Sequence, residues 1–135
     1  MIFLPEHCEL ILAGLKTQTR RLVKSYEQLE AAQMIVAPYH RIRFIVGQTY
    51  AIQPGRGKRS IGRIRIMAIR QERLQDITAG ACVREGVPRM SMANYERDAA
   101  YYWSSFAATW DQINRKGTRW ADDPEVWVLT FEVVK

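Results

Sequence analysis

The chain has 135 residues, the size of one compact domain with little room for a second core. Its 47% hydrophobic and 25% charged content excludes a disordered polar chain, and no apolar run approaches the ~18 residues of a membrane-spanning helix. The net charge of +6 is uneven, +8 over residues 1–73 against −2 over residues 74–135, which favours a polyanionic partner such as RNA or a nucleotide without establishing one.

Arginine supplies fifteen of the twenty basic residues, and its planar fork suits phosphates and base edges. The first residues carry neither a basic lead nor a long apolar block, so no signal peptide is expected and the expected location is cytoplasmic. Cys8 and Cys82 form no C-x-x-C pair and read as buried free thiols. His7 and His40 have no partners at ligand spacing, so neither a metal nor another cofactor is expected.

Pro5 opens a short helix in which Cys8, Ile11 and Leu12 recur at i, i+3, i+4, with Glu6 and Glu9 in its first turn and Gly14 as its stop. Residues 17–23 are strand-like. Residues 26–34 read as an exposed helix, which Pro38 ends before an arginine-rich loop. From Gly47 the pattern turns to β, with a strand over Thr49–Gln53 and a turn at Pro54-Gly55-Arg56-Gly57.

A long strand is predicted from Ser60 to about Arg70, with Ile64, Ile66 and Ala68 on one face and Arg63 and Arg65 on the other. Residues 78–85 read as a short helix ending at Gly86. Residues 93–113 read as the longest helix, carrying Tyr95, Tyr102, Phe106, Trp110 and Ile113 on its stripe. Glu125 to Val134 alternates, with Trp127, Leu129, Phe131 and Val133 on one buried face. Short strands with a few helices imply a small α+β barrel rather than a doubly wound sheet.

The richest stretch is Gly14-Leu15-Lys16-Thr17-Gln18-Thr19-Arg20-Arg21, where basic and hydroxyl side chains crowd a helix-to-strand junction. Such junctions expose side chains and backbone groups together, which suits ligand contact. Here the sequence resembles the ASCH domain family of PUA-like proteins, whose motif G-x-K-x-x-T-x-R is filled by Gly14, Lys16, Thr19 and Arg21. The resemblance continues through Gly47-Gln48-Thr49-Tyr50, Gly62 to Ile66, Leu74 to Thr78 with Arg84-Glu85-Gly86, and Trp110-Asp111 to Val128. Residues 22–46 and 87–105 match weakly.

This resemblance implies a PUA-like β-barrel with surrounding helices and a cleft beside the lysine-bearing junction. It also implies a link to RNA or modified nucleosides. Some ASCH proteins are amidohydrolases that deacetylate N4-acetylcytidine with a lysine, a threonine and a glutamate, which correspond by motif to Lys16, Thr19 and Glu85. Another member is described as a ribonuclease, and fold alone does not choose among these.

Amide hydrolysis needs a nucleophile, a base and stabilisation of the oxyanion. Thr19 can attack the acetyl carbonyl or position a water that does so. Lys16 can serve as base if burial and the neighbouring Arg20 and Arg21 lower its pKa. Alternatively, Lys16 stays cationic over the oxyanion and Glu85 is the base. The bland counterpart makes Lys16 and Arg21 surface charges, Thr19 an ordinary strand residue and Glu85 part of a solvated last turn.

Arg20 and Arg21 are also candidate substrate or RNA contacts. The turn holding Arg56, Lys58 and Arg59 lacks the P-loop spacing G-x-x-x-x-G-K-S/T, but suits phosphate or RNA-backbone contact; it reads equally well as a solvated hairpin tip. Trp103 lies on a different helical face from Tyr102 and Phe106 and is the candidate for base stacking. Two functions follow as expectations: an amidohydrolase of a modified cytidine, or an RNA-binding module without catalysis, with a ribonuclease as a third.

Overall fold

The computed structural model describes residues 1–90 and 97–135. In chain order it runs α1 (Pro5–Leu12), β1 (Gln18–Leu22), β2 (Gln28–Glu30), β3 (Met34–Ala37), β4 (Arg41–Ile45), β5 (Thr49–Ala51) and β6 (Arg63–Arg73). Then come α2 (Ala79–Glu85), α3 (Ala99–Ile113) and β7 (Glu125–Val134), with short 3-10 turns at Leu74–Asp76 and Trp120–Asp122. No helix among the described residues is long and apolar enough to cross a membrane.

The strands form two antiparallel sheets, β1-β7-β6-β5 and β2-β3-β4. No closed barrel is present among the described residues. The sheets are stitched where β4 leaves one and β5 joins the other: Val46 N–H donates to Gln33 O at 2.8 Å and Gly47 N–H to Ile66 O at 2.8 Å. Between them lies one core that includes Ile35, Phe44, Ile52, Ile64, Ile66, Trp127, Leu129 and Phe131.

A second core joins α2 and α3 to the opposite face of β7, through Cys82, Tyr102, Phe106, Trp110, Val126 and Val128. β7 is therefore buried on both faces, where the alternation of its sequence predicts only one. The reason lies outside the strand: Val126 and Val128, on the face opposite Trp127 and Leu129, join the cluster of α2 and α3. Cys8 and Cys82 are buried free thiols as expected, and burial pushes the Cys82 thiol up to about 12.

The exposed helix expected over residues 26–34 is instead a hairpin of β2 and β3. Leu29 pairs with Ile35 across it, and the chance to bury Ile35 outweighs the helical tendency of the Glu-Ala-Ala run. Likewise the arginine-rich segment after Pro38 is strand β4, because Phe44 closes the same core. Ala68 does not share the face of Ile64 and Ile66, since a bulge between Ile66 and Ala68 shifts the phase and turns Ile69 inward.

In α1, Cys8 and Ile11 are buried but Leu12 is exposed, and Ile113 at the end of α3 is exposed as well. The predicted start of the long helix, with Tyr95, lies partly outside the described residues.

The β2–β3 turn places Ala31 and Ala32 at φ 51° and 53°, with Gln33 N–H donating to Glu30 O at 2.9 Å. Left-handed backbone favours Asn and Gly and costs alanine about 1 kcal/mol or more per residue. Exchanging Ala31-Ala32 for Asn-Gly is expected to raise the unfolding free energy by about 1 kcal/mol, read from the urea midpoint. An unchanged or lower midpoint would show that the turn is not strained.

Candidate functional site

The site is built where the ends of α1 and α2 meet the start of β1. Gly14 adopts φ +77° after α1, and the chain then folds back so that Leu15 and Lys16 N–H both donate to Leu10 O. Thr17 N–H reaches Arg84 O at 2.8 Å and Thr17 O accepts from Phe131 N–H at 2.9 Å, pinning this segment between α2 and β7. Thr78 caps α2 by accepting from Ala81 N–H, and Gly86 ends it in left-handed backbone at φ +117°. A side chain at Gly86 would meet Leu10 of α1 at 3.2 Å, so glycine also allows this close approach of the two helices.

Lys16 points inward from this junction and is only 2% exposed. Its Nζ donates to Gln18 O at 2.9 Å, to Glu85 O at 2.5 Å and to Glu85 Oε1 at 3.1 Å. The other carboxylate oxygen, Glu85 Oε2, accepts from Arg20 Nη1 at 2.9 Å. Arg20 Nε also donates to Glu72 Oε1 at 2.8 Å. Its Nη2 lies 2.7 Å from that same oxygen at an angle that gives an ion pair without a second hydrogen bond. Gln18 Oε1 accepts from Arg20 Nη1 at 3.2 Å.

Burial pulls the Lys16 pKa below its ordinary value. The charge and hydrogen bond of Glu85 pull it back up, and Arg21 and Arg20 push it further down. This is the direction required of a lysine base, and burial is its main cause, with the adjacent arginines adding to it.

A cleft of about 560 Å³ opens beside this network, within the size range of small-molecule sites. Lys16, Thr19 and Glu85 all line it, together with Arg20 and Arg21. Thr19 is buried in β1 opposite Leu129, and its hydroxyl makes no hydrogen bond to any described residue. The facing wall comes from α3, through Phe106, Thr109 and Trp110.

The other expected contacts divide. Arg20 is buried and held by Glu72 and Glu85, so it organises the network and is not a free ligand contact. Arg56, Lys58 and Arg59 are exposed on the β5–β6 connection and do not line the cleft, although Pro54 and Gly55 do. Trp103 stands outside the cleft too, partly exposed, with Nε1 donating to Ile77 O at 2.7 Å. Of Trp110, Trp120 and Trp127, expected in the core or at an interface, Trp110 and Trp127 are core residues and Trp120 is half-buried against Phe106. Among the described residues, no group of three or more His, Cys, Asp or Glu side chains is placed to hold a metal.

Sequence reading missed His7, Lys24 and Arg43, which also line the cleft. His7 is half-buried beside Gly86 and makes no hydrogen bond to a described residue. Burial and the charge of Lys16 hold its pKa down, against the opposite pull of Glu85 and Glu6. Its one sequence signal is position, one turn before the buried Ile11. Arg43 was hidden in the segment read as a loop.

Arg43 is set by Glu27, whose Oε1 accepts from Arg43 Nη1 at 3.0 Å, from Trp127 Nε1 at 3.0 Å and from Lys24 N–H at 2.9 Å. Burial opposes ionisation of Glu27, but these hydrogen bonds and the Arg43 charge outweigh it and hold its carboxyl below the usual range.

No family model and no curated protein sequence matches the chain. Solved structures do. A protein from Enterococcus faecalis V583 assigned to the family DUF984 aligns with a TM-score of 0.59 at 18% identity, over 95% of this chain and 66% of that one. An ASCH domain from Lactobacillus crispatus JV V101 aligns with a TM-score of 0.53 at 17% identity, over 93% of this chain and 69% of that one. This chain thus spans about two thirds of the length of each. Its fold is ASCH-like.

Proposed function

We propose that the chain is an amidohydrolase that removes the acyl group from N4-acetylcytidine or a similar modified cytidine. The supporting observation is that Lys16, Thr19 and Glu85 line one cleft, with Lys16 Nζ 3.1 Å from Glu85 Oε1. We also read the two sheets around their shared core as an opened form of the PUA-like barrel.

The resting network constrains the mechanism. All three Lys16 protons and both Glu85 oxygens are already engaged, so neither residue acts while the pair is fully charged. Passing one proton from Lys16 Nζ to Glu85 Oε1 gives a neutral amine and a carboxylic acid. Burial of the ammonium favours this transfer. The amine then takes the Thr19 hydroxyl proton as Thr19 Oγ attacks the acyl carbon.

Collapse of the tetrahedral intermediate breaks the bond from the acyl carbon to N4. Glu85 supplies the proton to the departing cytidine amine, and the pair returns to its charged state. Water repeats the sequence on the Thr19 ester and releases acetate, with Glu85 returning a proton to Thr19 Oγ. One couple serves both halves.

The test is release of cytidine and acetate from N4-acetylcytidine, followed by chromatography. Wild type is expected to turn over, and Thr19→Ala to lose about 10²-fold or more of the rate while staying folded, because Thr19 holds no ion pair. No turnover by wild type removes the reaction. Turnover surviving in Lys16→Ala, Thr19→Ala and Glu85→Ala removes the site.

A second reading, an RNA-binding module, draws on the exposed Arg56, Lys58 and Arg59 outside the cleft. It requires RNA affinity that falls steeply with salt and with loss of those three charges.

A further inference from the structure

The cleft carries more positive charge than its own acids balance. Lys16, Arg20, Arg21, Lys24 and Arg43 line it, against the single carboxylate of Glu85. Lys16 and Arg20 are both committed to that carboxylate, and Arg43 is held by Glu27. Arg21 has no carboxylate partner among the described residues. Its Nη2 donates to Ile2 O at 2.9 Å, and its Nε is buried without a hydrogen-bond partner among the described residues. The Phe3 ring lies 5.0 Å from its guanidinium carbon. The Lys24 side chain is exposed at the rim and makes no ion pair among the described residues.

A cation drawn out of water without a paired counter-charge is costly: burial weakens the charged form of Arg21, and the charge of Glu85, already shared by Lys16 and Arg20, supports it against the opposing charge of Arg43. A cation–π contact with Phe3 and one backbone carbonyl fix the guanidinium but do not neutralise it. An anion bound at Arg21 would supply the missing charge and an acceptor for Nε. A phosphate matches best, because a guanidinium fork engages its oxygens two at a time.

We infer that Arg21, with Lys24 and Arg43, forms a phosphate subsite in the cleft, so that its ligand is a cytidine nucleotide, free or within RNA, in preference to the uncharged nucleoside. This rests on reading the cleft as a cytidine site, and its test is a binding measurement separate from turnover.

Cytidine, cytidine 5′-monophosphate and a short cytidine-containing oligoribonucleotide are titrated into the protein by calorimetry. The monophosphate is expected to bind about tenfold tighter than cytidine or better. Arg21→Gln should abolish that advantage, Lys24→Gln should reduce it severalfold, and Lys116→Gln, outside the cleft, should leave it intact. Lys24 is exposed, so its variant remains informative even if Arg21→Gln folds poorly.

An oligoribonucleotide that binds tighter still, with the same dependence on Arg21 and Lys24, identifies RNA as the source of the phosphate. Equal binding of monophosphate and oligoribonucleotide identifies the free nucleotide. Equal affinity for cytidine and its monophosphate, an advantage that survives both variants, or no binding of any of the three overturns the subsite. Arg21-dependent nucleotide binding without hydrolysis of N4-acetylcytidine keeps the subsite and removes the reaction; hydrolysis without phosphate preference does the reverse.

Discussion

Replacing Glu85 with alanine is expected to lower the unfolding free energy by about 3–5 kcal/mol, the scale of breaking a buried ion pair by removing one partner. The carboxylate serves two cations at once, Lys16 through Oε1 and Arg20 through Oε2, and all three residues are buried. Without it, Arg20 still has Glu72, but Lys16 retains only the carbonyls of Gln18 and Glu85, which solvate a cation without neutralising it.

Lys16→Met should cost less, because Glu85 keeps Arg20 and a linear apolar chain replaces the buried stem. Urea unfolding of both single variants and of Lys16→Met with Glu85→Ala closes a double-mutant cycle, in which the second change should be much cheaper once the first is made. A loss below about 1 kcal/mol for Glu85→Ala would mean that the network is solvated. The same cost has a bearing on function: lost turnover in Glu85→Ala proves nothing until folding is checked, whereas Thr19→Ala carries no such ambiguity.

The parts of the fold that could be read from sequence were those decided by local chemistry. Gly86 stops α2 and Gly14 stops the turn after α1 because both sit in left-handed backbone, and the motif around Lys16 lies between them. The hairpin of β2 and β3 was not readable, since its Glu-Ala-Ala run has helical propensity and only contact with a distant core makes it a strand. The two buried faces of β7 share this cause, because α3 lies outside the strand's own pattern.

At the site, sequence brought Lys16, Thr19, Arg20 and Arg21 together by adjacency, and family resemblance brought Glu85. It could not show that Arg20 would be spent on Glu72 and Glu85. Nor could it place His7, Lys24 and Arg43 in the same cleft, since they reach it from three separate segments. Adjacency in sequence finds one strand's contribution to a cleft; the opposing walls are set by packing.

If Lys16 works from its neutral amine, Lys16→Met should lower kcat for N4-acetylcytidine by about 10²–10⁴-fold, the usual contribution of a positioned acid–base group. In that scheme the active pair holds one shared proton, and burial holds the Lys16 pKa below the ordinary 10.5, so the wild-type kcat/KM should be level while the pair keeps that proton and fall with pH, before that value, as it is lost. Stability should report the same titration in the opposite direction. Between the folded and unfolded pKa values the unfolded chain binds more protons at this lysine, so the unfolding free energy rises with pH across that window and is flat above 10.5.

Lys16→Met should remove this contribution to the stability slope and the falling limb of any residual rate. Thr19→Ala should lose the rate but keep the stability slope, because its lysine still titrates. A falling limb that persists unchanged in Lys16→Met would assign the titration to another group and leave Lys16 as the fixed counter-charge of Glu85. That outcome would move the base to Glu85, and the rate would then have to fall on the acid side as its carboxylate gained a proton.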